Sequence, residues 1–271
     1  MRKLTLFTIL VFVFLVTSQE IAFAEGAIAW DPRGMPVCTE LNTQQNMRMV
    51  SDGCGGAIIV WEDYRSGNAD IYAQRIDENG KPKWSLASGV VVCTDTARQE
   101  HPVIVGDGYG GAIIAWEDSR SGPPNIYALR ISSDTGWPYA SWDPNGKALS
   151  STTYSQMSPD IASVGYDGAV ITWQETDGSG NWGISAQRIK YDGVLGWPTS
   201  NTKVKVTATD PAQFPRIIND GQSYVIITWE DWMGGDWNIY AQRMSIIDGM
   251  KAGGWDPSNG QVVSNTGEWE I

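Results

Sequence analysis

The stretch AIIVWEDYRSGNADIYAQR, Ala57 to Arg75, decides the reading of this chain because it returns three more times. Ala112 to Arg130 reads AIIAWEDSRSGPPNIYALR, Ala169 to Arg188 reads AVITWQETDGSGNWGISAQR with one added residue, and Val225 to Arg243 reads VIITWEDWMGGDWNIYAQR. Their central tryptophans, Trp61, Trp116, Trp173 and Trp229, lie 55, 57 and 56 residues apart. One structural unit therefore repeats along the chain, and a period of that size predicts a propeller or a solenoid.

Each copy reads as a β-hairpin. A short apolar run rich in β-branched and aromatic residues is followed by polar, Gly-rich residues and then by a second strand-like run. The first run is continuous rather than alternating, which suits a strand buried on both faces. A helix fits poorly, because the run is short and punctuated by Gly-Gly and Ser-Gly.

Two further pieces recur between the hairpins. One is a Trp, a Gly a few residues on and a short apolar strand: Trp30 to Cys38, Trp84 to Cys93, Trp142 to Leu149, Trp197 to Val206 and Trp255 to Val263. The other begins with Gln and usually reaches Pro: Gln99 with Pro102, Gln156 with Pro159, Gln213 with Pro215, and Gln45 without the proline. The predicted unit is thus four antiparallel strands, the make-up of a propeller blade.

The repeat Trp-Glu-Asp-x-Arg-x-Gly-x-x-Asp/Asn-Ile-Tyr-Ala-Gln-Arg, preceded by Asp-Gly and Gly-Gly, resembles the repeats of exported bacterial and archaeal β-propeller proteins. It is more distantly similar to the TolB-type propeller repeat. The resemblance spans about residues 45 to 264 and implies architecture and binding platforms. The third copy departs most, with Gln174 for Glu, Thr176-Asp177 for Asp-x-Arg and Ser185 for Tyr.

The expected organisation is a signal peptide over 1–24 and an all-β propeller domain over 25–271. Its repeats fall at about 45–95, 99–150, 156–207 and 213–264, with an extra N-terminal strand at 30–40. Five Trp-Gly-led strands against four of each other kind leave two arrangements. One is a compact four-bladed ring with a spare strand; the other, favoured because natural proteins cover unpaired edges, is an incomplete part of a larger propeller.

Arg2 and Lys3 before an apolar run from Leu4 to Val16, then Ala22-Phe23-Ala24, read as a secretory leader cut after Ala24. The run is too short for a membrane span. The expected location is therefore secreted, cell-surface or periplasmic, with no membrane insertion after cleavage. A net charge of −12 repels phosphate backbones, which excludes nucleic acid as a partner. Cys38, Cys54 and Cys93 match no zinc spacing and form no disulfide framework; one bridge stays open after export.

Residues common to the repeats read as architecture. Trp61, Trp116, Trp173 and Trp229 suit packing between adjacent sheets. Arg75, Arg130, Arg188 and Arg243, with Glu62, Glu117, Gln174 and Glu230, suit a repeated ion pair or hydrogen bond tying strand to strand or blade to blade. Asp52-Gly53, Asp107-Gly108, Asp167-Gly168 and Asp220-Gly221 could attract calcium, but Asp-Gly is first a hairpin-turn dipeptide, so no cofactor and no metal is expected. His101 beside Pro102 reads as a strand-entry residue.

The residues that break the repeat are aromatics at hairpin tips: Trp182, Trp232 and Trp237, the last beside Asp236. They suggest a stacking platform for sugars or an anchor for a protein, the alternative being that each Trp folds back over its own hairpin. No nucleophile elbow, phosphate loop or histidine pair occurs. The expected function is a non-catalytic extracytoplasmic binding module with a protein or polysaccharide partner. The runner-up is a propeller-type glycoside hydrolase or other carbohydrate-active enzyme, for which no carboxylate pair stands out.

Overall fold

A computed structural model of the protein describes residues 33–264, apart from 87, 151, 199–201, 209, 234 and 256–259. Each repeat folds into one four-stranded antiparallel meander. The first is β1 (Gln44–Ser51), β2 (Ala57–Asp63), β3 (Asp70–Ile76) and β4 (Val90–Cys93). The second is β5 (Gln99–Gly106), β6 (Ala112–Asp118), β7 (Asn125–Ile131) and β8 (Lys147–Ala148). The third is β9 (Gln156–Ser163), β10 (Ala169–Thr176), β11 (Trp182–Ile189) and β12 (Lys203–Ala208). The fourth is β13 (Ala212–Asn219), β14 (Tyr224–Met233), β15 (Asp236–Ser245) and β16 (Gln261–Ser264). The only helical turn among the described residues is a 3-10 turn, Gly165–Asp167, at the Asp-Gly position of the third repeat. The four sheets are the blades of a propeller: β1 packs on β5, β5 on β9 and β9 on β13.

In the first three blades the apolar runs are buried, as their lack of alternation predicts, every residue of β2 and β6 included, whereas β14 of the fourth blade alternates buried and half-buried positions. In the inner blades one face of the run meets the next blade and the other the one before, so Trp116 and Trp173 lie in a core shared by the first three blades and Trp229 in the core between the third and fourth. Each central indole also donates to the acid two residues on: Trp61 to Asp63 at 2.8 Å, Trp116 to Asp118 at 2.9 Å, Trp173 to Glu175 at 3.2 Å and Trp229 to Asp231 at 2.9 Å. The glycine of the Trp-Gly-led strand exists for this ring. A Cβ on Gly89, Gly146 or Gly260 would stand 2.5, 2.4 or 2.5 Å from the indole of Trp61, Trp116 or Trp229.

Two sets of contacts tie blade to blade. Arg75 pairs with Asp52 of its own Asp-Gly turn and donates to the Ser133 carbonyl of the second blade, which also accepts the Trp84 indole N–H at 2.9 Å. Arg130 with Trp142 on the Tyr191 carbonyl, and Arg188 with Trp197 on the Ile246 carbonyl, repeat the arrangement. The turn aspartates hold their own backbone with the other oxygen, Asp52 Oδ1 accepting the Cys54 and Gly56 amides. This is the turn reading of Asp-Gly. Asp167 alone stands out in solvent, 3.7 Å from Arg188, because the 3-10 turn displaces it.

The second set is a latch. The Glu62 carboxylate accepts the His101 N–H at 2.7 Å, Glu117 accepts that of Ser158 at 2.8 Å, and Gln174 accepts that of Phe214 at 2.9 Å. A glutamine serves as well as a glutamate because only an acceptor is needed.

The ends of the array differ from its middle. Met47 and Met49 of β1 are 63% and 62% exposed, where their counterparts Pro102 and Ile104 in the second blade and Pro159 and Ile161 in the third are buried. Ile239 and Val263 of the fourth blade are exposed, where Ile71, Ile126, Ile184 and Val92 are covered. The expected strand at 30–40 is not formed over 33–40: Val37 and Cys38 pack on the first blade's core without joining a sheet, Cys38 taking the place beside Arg65 that Cys93 takes beside Arg120. It has no sheet of its own to pair with. All three cysteines are free thiols, and burial pushes Cys93 up to about 11. No helix among the described residues is long and apolar enough to cross a membrane. The leader expected over 1–24 lies outside the described residues.

Candidate functional site

Every inner strand breaks its ladder at the same place. The register slips between Gln45 and Arg48, between Glu100 and Val103, between Gln213 and Arg216, and opposite Thr172 and Gln174 in the third blade. The third strand residue is there in the left-handed region: Asn46 at φ 53°, His101 at 53°, Ser158 at 55° and Phe214 at 51°. A non-glycine so placed costs of order 1 kcal/mol or more and persists only when its surroundings hold it. The latch holds three of the four. Such a bulge re-aims side chains, here toward the propeller axis.

The axis is lined by these residues and by those two further on, around a cavity of about 240 Å³. Asn46, His101, Ser158 and Phe214 form one level, and Arg48, Val103 and Arg216 the next, with Pro102, Pro159 and Glu117 between them. The fourth residue of the second level, Asp160, is turned to the wall, its two oxygens accepting the Ile161 and Ile217 amides at 3.0 Å. The three latch acceptors are alike, whereas the axis-facing residues differ from blade to blade, with only Arg48 and Arg216 coinciding.

Glu117 is the one carboxylate among the described residues of this lining. Its side chain is nine-tenths buried, and Oε1 accepts the Ser158 N–H and meets His101 Nδ1 at 3.2 Å, which leaves Oε2 unengaged. The hydrogen bond to Glu117 raises the His101 pKa above its usual value, against the lowering effect of burial. Two cations face the cavity with no acid beside them. Arg65, Arg75, Arg98, Arg120, Arg130, Arg188 and Arg243 each pair with a carboxylate. Arg48 and Arg216 instead donate Nη1 to the carbonyl of the residue just before, Met47 or Pro215, at 3.0 Å in both. No group of three or more His, Cys, Asp or Glu side chains placed to hold a metal occurs among the described residues.

The hairpin-tip residues fall at the same end of the propeller as this cavity, since β13 begins opposite the end of β14 with Ala212 facing Asp231. Trp232 and Trp237 are register partners across the β14–β15 hairpin, edge to face at 5.4 Å, so they pack on one another. Trp237 keeps 39% of its surface exposed and Asp236 is exposed. Trp182 is half-buried on the third blade between Thr176 and Ala208, away from that pair in the register. Sequence reasoning passed over Arg48 and Arg216, and read His101 only as a strand-entry residue and Glu117 only as a tie between strands or blades. The signal was the third and fifth residues of the Gln-led strands, Asn, His, Ser, Phe and Arg, Val, Asp, Arg, which break the repeat as fully as the tip tryptophans do.

No family model and no curated protein sequence matches the chain. Among solved structures it is similar to an alpha-L-arabinanase from Penicillium chrysogenum complexed with arabinobiose, at 12% identity over 86% of this chain and 70% of that one, TM-score 0.51. It is also similar to an endo-arabinase from Bacteroides thetaiotaomicron, 12% identical over 85% of each chain, TM-score 0.46. A third is a GH43 endo-arabinanase from Bacillus licheniformis, 13% identical over 84% of this chain and 82% of that one, TM-score 0.43. The first likeness establishes the propeller fold and no more; the other two carry no further weight. The expectation of a non-catalytic binding module is corrected at this point: the solved propeller that this fold matches is named as an alpha-L-arabinanase.

Proposed function

We propose that this protein is a carbohydrate-active enzyme that cleaves glycosidic bonds in a polysaccharide, with the axial cavity as its site. The observation that carries the reading is the contrast between a uniform blade-to-blade latch and an axis lined differently by each blade. Repetition is what architecture needs, and asymmetry is what an asymmetric substrate needs. Glu117 Oε2 takes a proton from the water that attacks the anomeric carbon and passes it to the departing glycosidic oxygen, His101 positions it, and the exposed ring of Phe214 offers a face for a sugar to stack on. The leader expected over 1–24 fits an activity outside the cytoplasm.

The test is release of new reducing ends by the full chain from arabinan, xylan, galactan and polygalacturonate, alongside Glu117→Gln. The expected loss in the variant is about a hundredfold or more. If the parent cleaves none of them, or the variant cleaves as the parent does, this reading falls.

A further inference from the structure

We infer that the sugar seated in the axial cavity carries a carboxylate, which makes the substrate a uronic-acid polymer; the inference builds on the carbohydrate reading of that cavity and names its substrate class. The argument starts from Arg48 and Arg216. Acidic side chains outnumber basic ones in this chain by 12, so an arginine is not short of partners, and the other arginines whose pairings are described above all have one. These two occupy the same position of the repeat, on β1 and β13, and line the same cavity. Their siblings are Val103 and Asp160, so the cations are no requirement of the fold.

Both guanidinium groups are held the same way, by Nη1 on the preceding carbonyl, which leaves Nε and Nη2 unused in each. A guanidinium fork fixed at one nitrogen matches the two oxygens of a carboxylate. Neither acid at the cavity pairs with them: Asp160 spends both oxygens on backbone amides, and the ion-pair contact of Glu117 is with His101, its Oε2 being the group assigned to proton transfer. The result is a cationic recess in an acidic protein, beside the apolar ring of Phe214. A pyranose with a carboxylate on one edge and C–H groups on its face meets both.

The test is calorimetric binding by the full chain of galacturonic-acid oligomers, of the same oligomers with their carboxyl groups reduced to alcohols, of neutral arabinan oligomers, and of a sulfated galactan. The acid oligomers are expected to bind roughly ten- to a hundredfold more tightly than the reduced ones, and Arg48→Gln and Arg216→Gln each to remove most of that preference. Added salt should weaken the acid oligomers alone. Both side chains are on the cavity surface, so an unchanged circular dichroism spectrum keeps the comparison fair. Arabinan oligomers bound as well as the acids and indifferent to both variants overturn the inference and leave the carbohydrate reading standing. Preference for the sulfated galactan over the carboxylates overturns it too, and binding of none of the four ends both.

Discussion

Lys205, on the outermost strand of the third blade, reaches Asp231 of the fourth at 3.2 Å, with both side chains almost wholly buried at 4% and 0% exposure. It stands in the repeat position of Cys93, opposite Ile184 as Cys93 is opposite Ile71. In the second blade the cation on the matching acid, Asp118, is Arg120 from the same hairpin, and Cys93 lies against it. The fourth blade has Met233 where the second has Arg120. The cation has moved from one side of the blade interface to the other while the acid stayed.

Lys205→Ala is therefore expected to destabilise by about 3–5 kcal/mol, because it leaves Asp231 buried without a cation. The double variant Lys205→Cys, Met233→Arg rebuilds the arrangement of the second blade and should recover most of the loss. Urea unfolding of the single and double variants reads the difference.

The latch gives a sharper contrast. Glu62→Ala leaves the His101 N–H, held now at 2.7 Å, without its acceptor and should cost about 1–3 kcal/mol. Glu62→Gln should cost far less, since Gln174 already does this for Phe214. Equal losses in chemical denaturation would show that the charge, not the acceptor, matters.

The chain's one histidine allows a clean titration. His101 is expected to titrate above the ordinary value near 6.5, chiefly through its hydrogen bond to Glu117, and Glu117→Gln should bring it back down. The sign follows from a folded-state value raised above the unfolded one. The stabilisation is whole below about pH 6.5 and is lost as pH rises through the higher folded value. Nuclear magnetic resonance of the imidazole protons follows it directly.

Gly89 and Gly67 separate packing from backbone. Both have positive φ, 93° and 105°, but a Cβ on Gly89 meets the Trp61 ring at 2.5 Å whereas one on Gly67 meets nothing within 4 Å. Gly67→Ala should cost about 1 kcal/mol or a little more, for the backbone alone. Gly89→Ala should cost about 3 kcal/mol or more, since the indole must move as well. Thermal melts of the two variants measure the gap.

The blade was legible in the sequence because its parts recur: Trp-Glu-Asp, the Ile-Tyr strand and the Gly before β4 each announce a contact made more than once. The roles of Glu62, Glu117 and Gln174 as ties between blades were legible for the same reason, Gln174 being the clue that acceptance is what counts. The cavity was hidden. Nothing in Gln99-Glu100-His101-Pro102 says that the third residue turns left-handed and points to the axis, because the bulge is made by the partner strand and by an acceptor one blade away. His101 and Glu117 are 16 residues apart and meet only once β5 and β6 have paired with that slip. The aromatic tips drew the eye because tryptophan is rare and large, and two of the three turned out to be each other's neighbours.

The latch joins an acceptor on one blade to an N–H on the blade that follows it, never the reverse. Each unit thus has a head and a tail, like links of a one-way chain. A duplicated stretch of some 56 residues dropped between any two units would find both its fastenings already in place. Lengthening such a protein requires no invention at the joints, and inheritance can vary the axis residues one unit at a time while the fastenings are copied unchanged.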